Sequence, residues 1–215
     1  MATIAPAKPS LLPYEHVYLP GVSYATYEAL VTEIEGRRRL RITYDHGRME
    51  IMSPTQDHER PKKLIGRMIE VLTEELGIPI MSCGQTTFKD KLLDCGLEPD
   101  ECYYIQHEAD VRGRNVKLRV DPAPDLVVEV DVTTSVIDRF PIYAALGFPE
   151  IWQHVNREIV IHVLQKNGKY AVKKQSLALP MIAVEKLVEH LDRCHETDET
   201  TWIRAFRQWV REGMK

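Results

Sequence analysis

The segment Pro124–Asp131, PDLVVEVD, constrains the fold of this 215-residue chain more than any other stretch. Valine is stiff about χ1 and packs well on a pleated surface, so Val127, Val128 and Val130 mark a largely buried strand. Pro122, Ala123 and Pro124 set it off from what precedes it. Alternation puts Asp125, Val127, Glu129 and Asp131 on one face, and Leu126, Val128 and Val130 on the other. A buried carboxylate is costly unless it is paired, hydrogen-bonded or bound to metal. Three on one face repel one another unless a cation neutralises them. Hard divalent cations such as Mg²⁺ or Mn²⁺ take oxygen ligands and suit such a face. An edge strand whose acids meet water or arginines satisfies the same pattern.

Asp100 follows Pro99 just before the strand-like Cys102–Ile105, which repeats the Pro-Asp-then-strand layout. If the two strands are neighbours, Asp100 and Glu129 can share a cation. The competing account is a turn aspartate that caps its own backbone, as Asp routinely does.

Around these strands the periodicity predicts an α/β chain. A helix runs from Ser23, as N-cap, to Glu35, closed by Gly36, with Tyr27, Leu30, Val31 and Ile34 at helical spacing. Strands at Leu40–Tyr44 and Met49–Met52 flank a turn at His46–Gly47. A longer helix follows Pro54, buries Leu64, Ile65, Met68, Ile69, Leu72 and Leu76, and ends at Gly77; Pro61 belongs in or near its first turn. Short strands are expected at Ile78–Met81 and Gln85–Phe88, then a helix over Arg139–Leu146 with Asp138 as N-cap. Strands follow at Ile151–Val155, Ile159–Leu164 and Tyr170–Lys173, the last pair joined at Asn167–Gly168. Two helices, near Val184–Cys194 and Thr201–Arg211, close the chain, the second capped by Asp198 or Thr200. Its stripe of Trp202, Phe206 and Trp209 suits docking on the sheet or on a partner subunit. These expectations divide the chain into a flexible arm (1–20), one domain (21–180) and a helical extension (181–215).

A net charge of −4 argues against a basic coat for nucleic acid, although a local groove remains compatible with it. No apolar run approaches the roughly 20 residues that span a bilayer, so no membrane partner is expected. Cys83, Cys95, Cys102 and Cys194 show no CxxC spacing, which points to reduced thiols in a cytoplasm. No GxSxG context supports a serine or cysteine hydrolase.

The succession HGRMEIMSPTQDHE, LEPDECYYI, PAPDLVVEVDVTTS and DRFPIYAALGFPEIW resembles the Uma-two type of restriction endonucleases, within the PD-(D/E)xK nuclease superfamily. The likeness covers roughly residues 20–180. It implies a restriction-endonuclease-like fold, a mixed central β-sheet flanked by helices with catalytic acids on adjacent strands. It further implies a Mg²⁺- or Mn²⁺-dependent endonuclease acting on DNA. Carried over, Asp100 matches the first metal-binding aspartate and Glu129 the acid of the (D/E)xK element, with Asp125 or Asp131 as further ligands. Asp131 stands where the superfamily usually has lysine, a departure from its pattern. The resemblance places the basic residue in the following helix instead, at Arg139, and matches His58 to a histidine typical of the family. An ion pair to Asp131 or Glu129 is the plain competing role for Arg139, and a structural role competes for His58.

Basic residues near these positions are candidates for phosphate contacts: Arg38 within the cluster of Arg37, Arg38, Arg39 and Arg41, then Lys62, Lys63 and Arg67 on the exposed side of the second helix, and Lys89. Cutting both strands of a duplex would suit a homodimer. A nuclease fold that no longer cuts, serving DNA binding or protein interaction, is the alternative that the missing lysine favours.

Overall fold

The computed structural model describes residues 16–34, 40–53, 56–130 and 135–214. In chain order the elements are β1 (His16–Pro20), α1 (Tyr24–Ile34), β2 (Arg41–Asp45), β3 (Arg48–Met52), α2 (Gln56–Leu76), β4 (Met81–Ser82) and β5 (Phe88–Asp90). There follow β6 (Cys95–Leu97), β7 (Glu101–Tyr104), α3 (Glu108–Val111), β8 (Leu126–Val130), α4 (Phe140–Leu146) and β9 (Glu150–Val155). The last are β10 (Glu158–Leu164), β11 (Tyr170–Lys173), α5 (Val184–Asp192), a 3₁₀ turn at Arg193–His195, and α6 (Glu199–Arg211).

These form a mixed α/β fold with two sheets. One is antiparallel, in the order β1-β3-β2-β6-β5; the other is mixed, in the order β11-β10-β9-β8-β7-β4. Within the mixed sheet β8 and β9 are parallel, and their other neighbours are antiparallel. Parallel neighbours need a crossover, and α4 lies on it. The β2–β3 turn places His46 and Gly47 both at positive φ, the twist that a two-residue hairpin demands.

The valine strand behaves as its alternation predicts. Leu126, Val128 and Val130 enter a core with α2, α5 and α6, including Ile65, Leu187 and Phe206. Val127, on the other face, packs with Cys102, Ile142 and Phe148 and with Phe88 and Leu97 of the antiparallel sheet. The mixed sheet is therefore the middle layer. Its far side is covered by α4 and the second sheet, whose outer face carries Tyr27 and Val31 of α1 on Ile42, Tyr44 and Met49. Asp198 caps α6, its carboxylate accepting from the Thr200 and Thr201 amides. The buried stripe of α6 is Trp202, Phe206 and Val210, with Trp209 at its margin against His190.

Several expectations are corrected. Residues 16–20, assigned to an arm, form β1, an edge strand paired with β3 from His16↔Met52 to Pro20↔Arg48. The mixed central sheet that the resemblance implies is present, and beside it the short strand β6 builds a second sheet by joining β2 to β5. Gly96 lies inside β6 because a Cβ there would overlap the Tyr27 hydroxyl, so the residue that permits close packing also hides the strand. β4 is Met81–Ser82 and shares only Met81 with the expected Ile78–Met81, and β5 begins at Phe88, the last residue of the expected Gln85–Phe88. Pro61 is the sixth residue of α2, just past its first turn. Asp138 accepts from the Phe140 amide at 3.0 Å, but the N-cap position of α4 belongs to Arg139. The expected closure of α1 at Gly36 lies outside the described residues, as do residues 1–15 of the expected arm.

Candidate active site

β7 and β8 pair as Glu101↔Val128, Cys102↔Val127 and Tyr103↔Leu126. Continued by one step, that register sets Asp100 opposite Glu129. Directly opposed residues share a face, here the one turned toward the antiparallel sheet. Asp100 is fully buried and Glu129 is 6% exposed. Asp100 Oδ2 accepts from the Val130 amide at 2.7 Å, so this carboxylate also ties the two strands together.

Each acid is met by a cation from a different element. Arg41, the first residue of β2, points away from the Ile42–Tyr44 core because strands alternate. It is almost wholly buried and ion-pairs with Asp100. The first turns of α2 bring His58, whose Nε2 lies 2.9 Å from Asp100 Oδ2. Arg41 also donates to Glu59 Oε1 at 3.1 Å. Glu129 is held from α4: Arg139 Nη1 donates to Oε2 at 2.7 Å, and the Tyr143 hydroxyl, one turn on, donates to Oε1. Arg139 also donates to the Glu98 carbonyl and, at 3.3 Å, to the Tyr143 oxygen. Two arginines on separate elements thus balance the two buried carboxylates, as burial demands.

The electrostatics follow from this packing. Burial, and then the positive charge of Arg41, push the His58 pKa down to about 4, so the ring is neutral at pH 7. Burial raises Glu98 and lowers Arg41, although an arginine at neutral pH keeps its proton. Burial also carries the Tyr143 hydroxyl well above its ordinary range, so it serves as a donor.

Glu50 of β3 sets the approach to α4. Nearly fully buried, it accepts from the Ser135 hydroxyl and from the Val136 and Ile137 amides at 3.0 and 3.3 Å. His16 of β1 also hydrogen-bonds it. Burial alone would raise this carboxyl, but those donors together hold it below the usual carboxylate range. The segment that leads to Arg139 is thereby fixed to the antiparallel sheet.

The structure gathers Asp100, Glu129, Arg139 and His58 and leaves other expected residues elsewhere. Asp125 lies four residues from Glu129, about 13 Å along a strand. There its Oδ2 accepts from the Ile105 and His107 amides at 2.7 and 3.0 Å and its Oδ1 meets His107 Nδ1 at 2.5 Å. It pins the turn after β7 and is too far to share a cation with Glu129. Asp131 and Arg38 lie outside the described residues. Of the expected phosphate contacts, Lys62 is buried and donates to Glu59 at 2.8 Å. Arg67 faces α6, with Glu199 at 3.1 Å and the Trp202 ring at 5.9 Å. Both depart from an exposed face because α6 and the site cover that side of α2. Lys63 is exposed, and Lys89 pairs with Glu28 at 3.1 Å. The sequence reading missed Tyr143 and gave Arg41 only to a basic surface cluster. Tyr143 stands four residues beyond Arg139, a spacing that aligns side chains on one helix face.

Among the described residues no three His, Cys, Asp or Glu side chains assemble as a metal-ligand set. The oxygen donors at the centre are those of Asp100 and Glu129. No described helix is long and apolar enough to cross a membrane. A family model named Uma2, with the description "Putative restriction endonuclease", matches residues 25–193. A comparison with curated proteins finds no match.

Proposed function

This chain belongs to the Uma2 family, and from that membership we propose that it is a divalent-cation-dependent endonuclease that hydrolyses DNA phosphodiester bonds. The observation that carries the reading is the opposition of Asp100 and Glu129 on adjacent strands, both buried, with a basic side chain aimed at each. Asp100 Oδ1 meets Arg41 in an ion pair. Two buried carboxylates opposed on adjacent strands suit a hard cation, and Mg²⁺ or Mn²⁺ would be held by Asp100 and Glu129. When bound, the cation supplies Lewis-acid polarisation of the phosphate and lowers the pKa of the attacking water.

The protein's own groups supply orientation and charge. Neutral His58, with Nε2 2.9 Å from Asp100 Oδ2 and 3.1 Å from Arg41 Nη1, packs against the Asp100–Arg41 pair and fixes its position. Arg139 cannot serve as a base, because guanidinium stays protonated. Its fork is shaped to stabilise charge that builds on a phosphate, with Tyr143 keeping Glu129 oriented as that fork turns. Lys63 is the exposed candidate for a DNA phosphate, and the protein acts as a homodimer so that both strands are cut. A cytoplasmic setting keeps its thiols reduced.

Nicking of supercoiled plasmid with Mg²⁺ or Mn²⁺ tests this reading. Glu129→Gln and Asp100→Asn are expected to abolish it while a cooperative thermal melt shows that each variant still folds. Variants that fold and cut at the wild-type rate would sink the proposal. One observation favours a second reading, a nuclease fold that binds without cutting: arginines already neutralise both acids. Calorimetric titration showing no Mn²⁺ binding below the millimolar range would support it.

A further inference from the structure

β4 and β7 run antiparallel, with Met81 opposite Tyr104 and Ser82 opposite Tyr103. One step further, Cys83 meets Cys102, and the Cys83 amide donates to the Cys102 carbonyl at 2.9 Å. Opposed residues joined this way lie about 5.5 Å apart at Cα. That falls inside the roughly 4.4–6.8 Å that a disulfide spans. Their side chains share a face; the Cys102 thiol donates to the Gly84 carbonyl at 3.5 Å and the Cys83 thiol to the Met81 carbonyl at 4.0 Å.

The two thiols differ in access. Cys102 is fully buried. Cys83 is half-buried on the wall of a cavity of about 370 Å³ that Thr86, Lys89, Tyr104 and Arg114 also line. A small reagent therefore reaches Cys83 first and leaves Cys102 as the neighbour able to resolve what forms there. Sensor cysteines combine an accessible sulfur with a resolving thiol in this manner. The neighbouring Cys102 thiol also holds the Cys83 thiol below its ordinary range.

We propose that Cys83 and Cys102 are a peroxide-reactive thiol pair, in which Cys83 takes up the oxidant and Cys102 closes a cross-strand disulfide. The Cys83 sulfur attacks one oxygen of hydrogen peroxide; the O–O bond breaks and water leaves, giving a sulfenic acid. The Cys102 sulfur then attacks the Cys83 sulfur, the S–O bond breaks, and the thiol proton departs with the hydroxide as a second water. Two thiols are oxidised and one peroxide is reduced. Cys102 stands two residues from Asp100 on the same face of the sheet, so the bond ties the edge strand to the chain that bears the candidate site. The chemistry does not depend on nuclease activity.

The test uses the full-length, fully reduced protein and a small excess of hydrogen peroxide. Thiols counted in denaturant are expected to fall from four to two. Unreduced peptide mapping should find a Cys83–Cys102 link, and dithiothreitol should restore all four thiols. In Cys83→Ser the three remaining thiols are expected to persist. In Cys102→Ser, Cys83 should stop at a sulfenic acid that dimedone traps. Persistence of four thiols in the wild type, a link between other cysteines, or equal thiol loss in Cys83→Ser would each overturn the proposal.

Discussion

Asp100 and Glu129 stand in mirrored surroundings, each facing an arginine from another element, yet only Asp100 has a histidine beside it. That histidine carries a dependence on pH. With its folded pKa near 4 and an ordinary value of 6.5, His58 takes up a proton more readily once the chain unfolds. Between those values the unfolded state binds more protons, so the contribution of neutral His58 is fully present above pH 6.5 and is lost as pH falls toward 4. Urea unfolding of the wild type and of His58→Gln should therefore converge in stability over that interval. Curves that stay parallel from pH 7 to about 4 would show that His58 does not titrate as described.

At the scale of elements, α6 makes a prediction of its own. Phe206 is fully buried among α2, α5 and the mixed sheet, with His190 in edge contact. Phe206→Ala should cost about 3–5 kcal/mol, the usual range for emptying an aromatic site. A urea midpoint unchanged from the wild type would mean that the helix is not part of the cooperative unit. The long apolar periodicity of α2 and the valine run of β8 were readable in the sequence because each writes its buried face in a repeating pattern. β1 and β6 were not. Val17 and Leu19 of β1 are exposed on an edge, so no buried alternation announces the strand, and β6 is three residues long with a glycine at its centre. The acids were readable for the same reason as the valines, since charge in an apolar strand is conspicuous. Of their partners, Arg139 was already offered for Glu129, whereas Arg41 was not, because it reaches Asp100 from one sheet layer to the other, a contact that no local pattern specifies.

For the whole molecule, the decisive placement is that of the candidate site between layers. Arg41 belongs to the antiparallel sheet and Asp100 to the edge of the mixed sheet's β7, so one ion pair spans both. Removing one member of such a buried pair typically costs about 3–5 kcal/mol, because the survivor is left uncompensated. The oxygens of Asp100 are then subject to two claims. On the proposed reading a bound cation and Arg41 would compete for the same negative charge, and what one gained the other would give up. Affinity for metal and cohesion between the layers would accordingly be tethered with opposite sign. Adding Mn²⁺ should quicken amide exchange in β2, and Arg41→Gln should bind Mn²⁺ more tightly while unfolding at lower urea. Exchange in β2 that slows on adding Mn²⁺ would show that the two claims do not compete. If they do, each arrival of the ion loosens the joint between two walls, and the hinge of this molecule is the charge of Asp100.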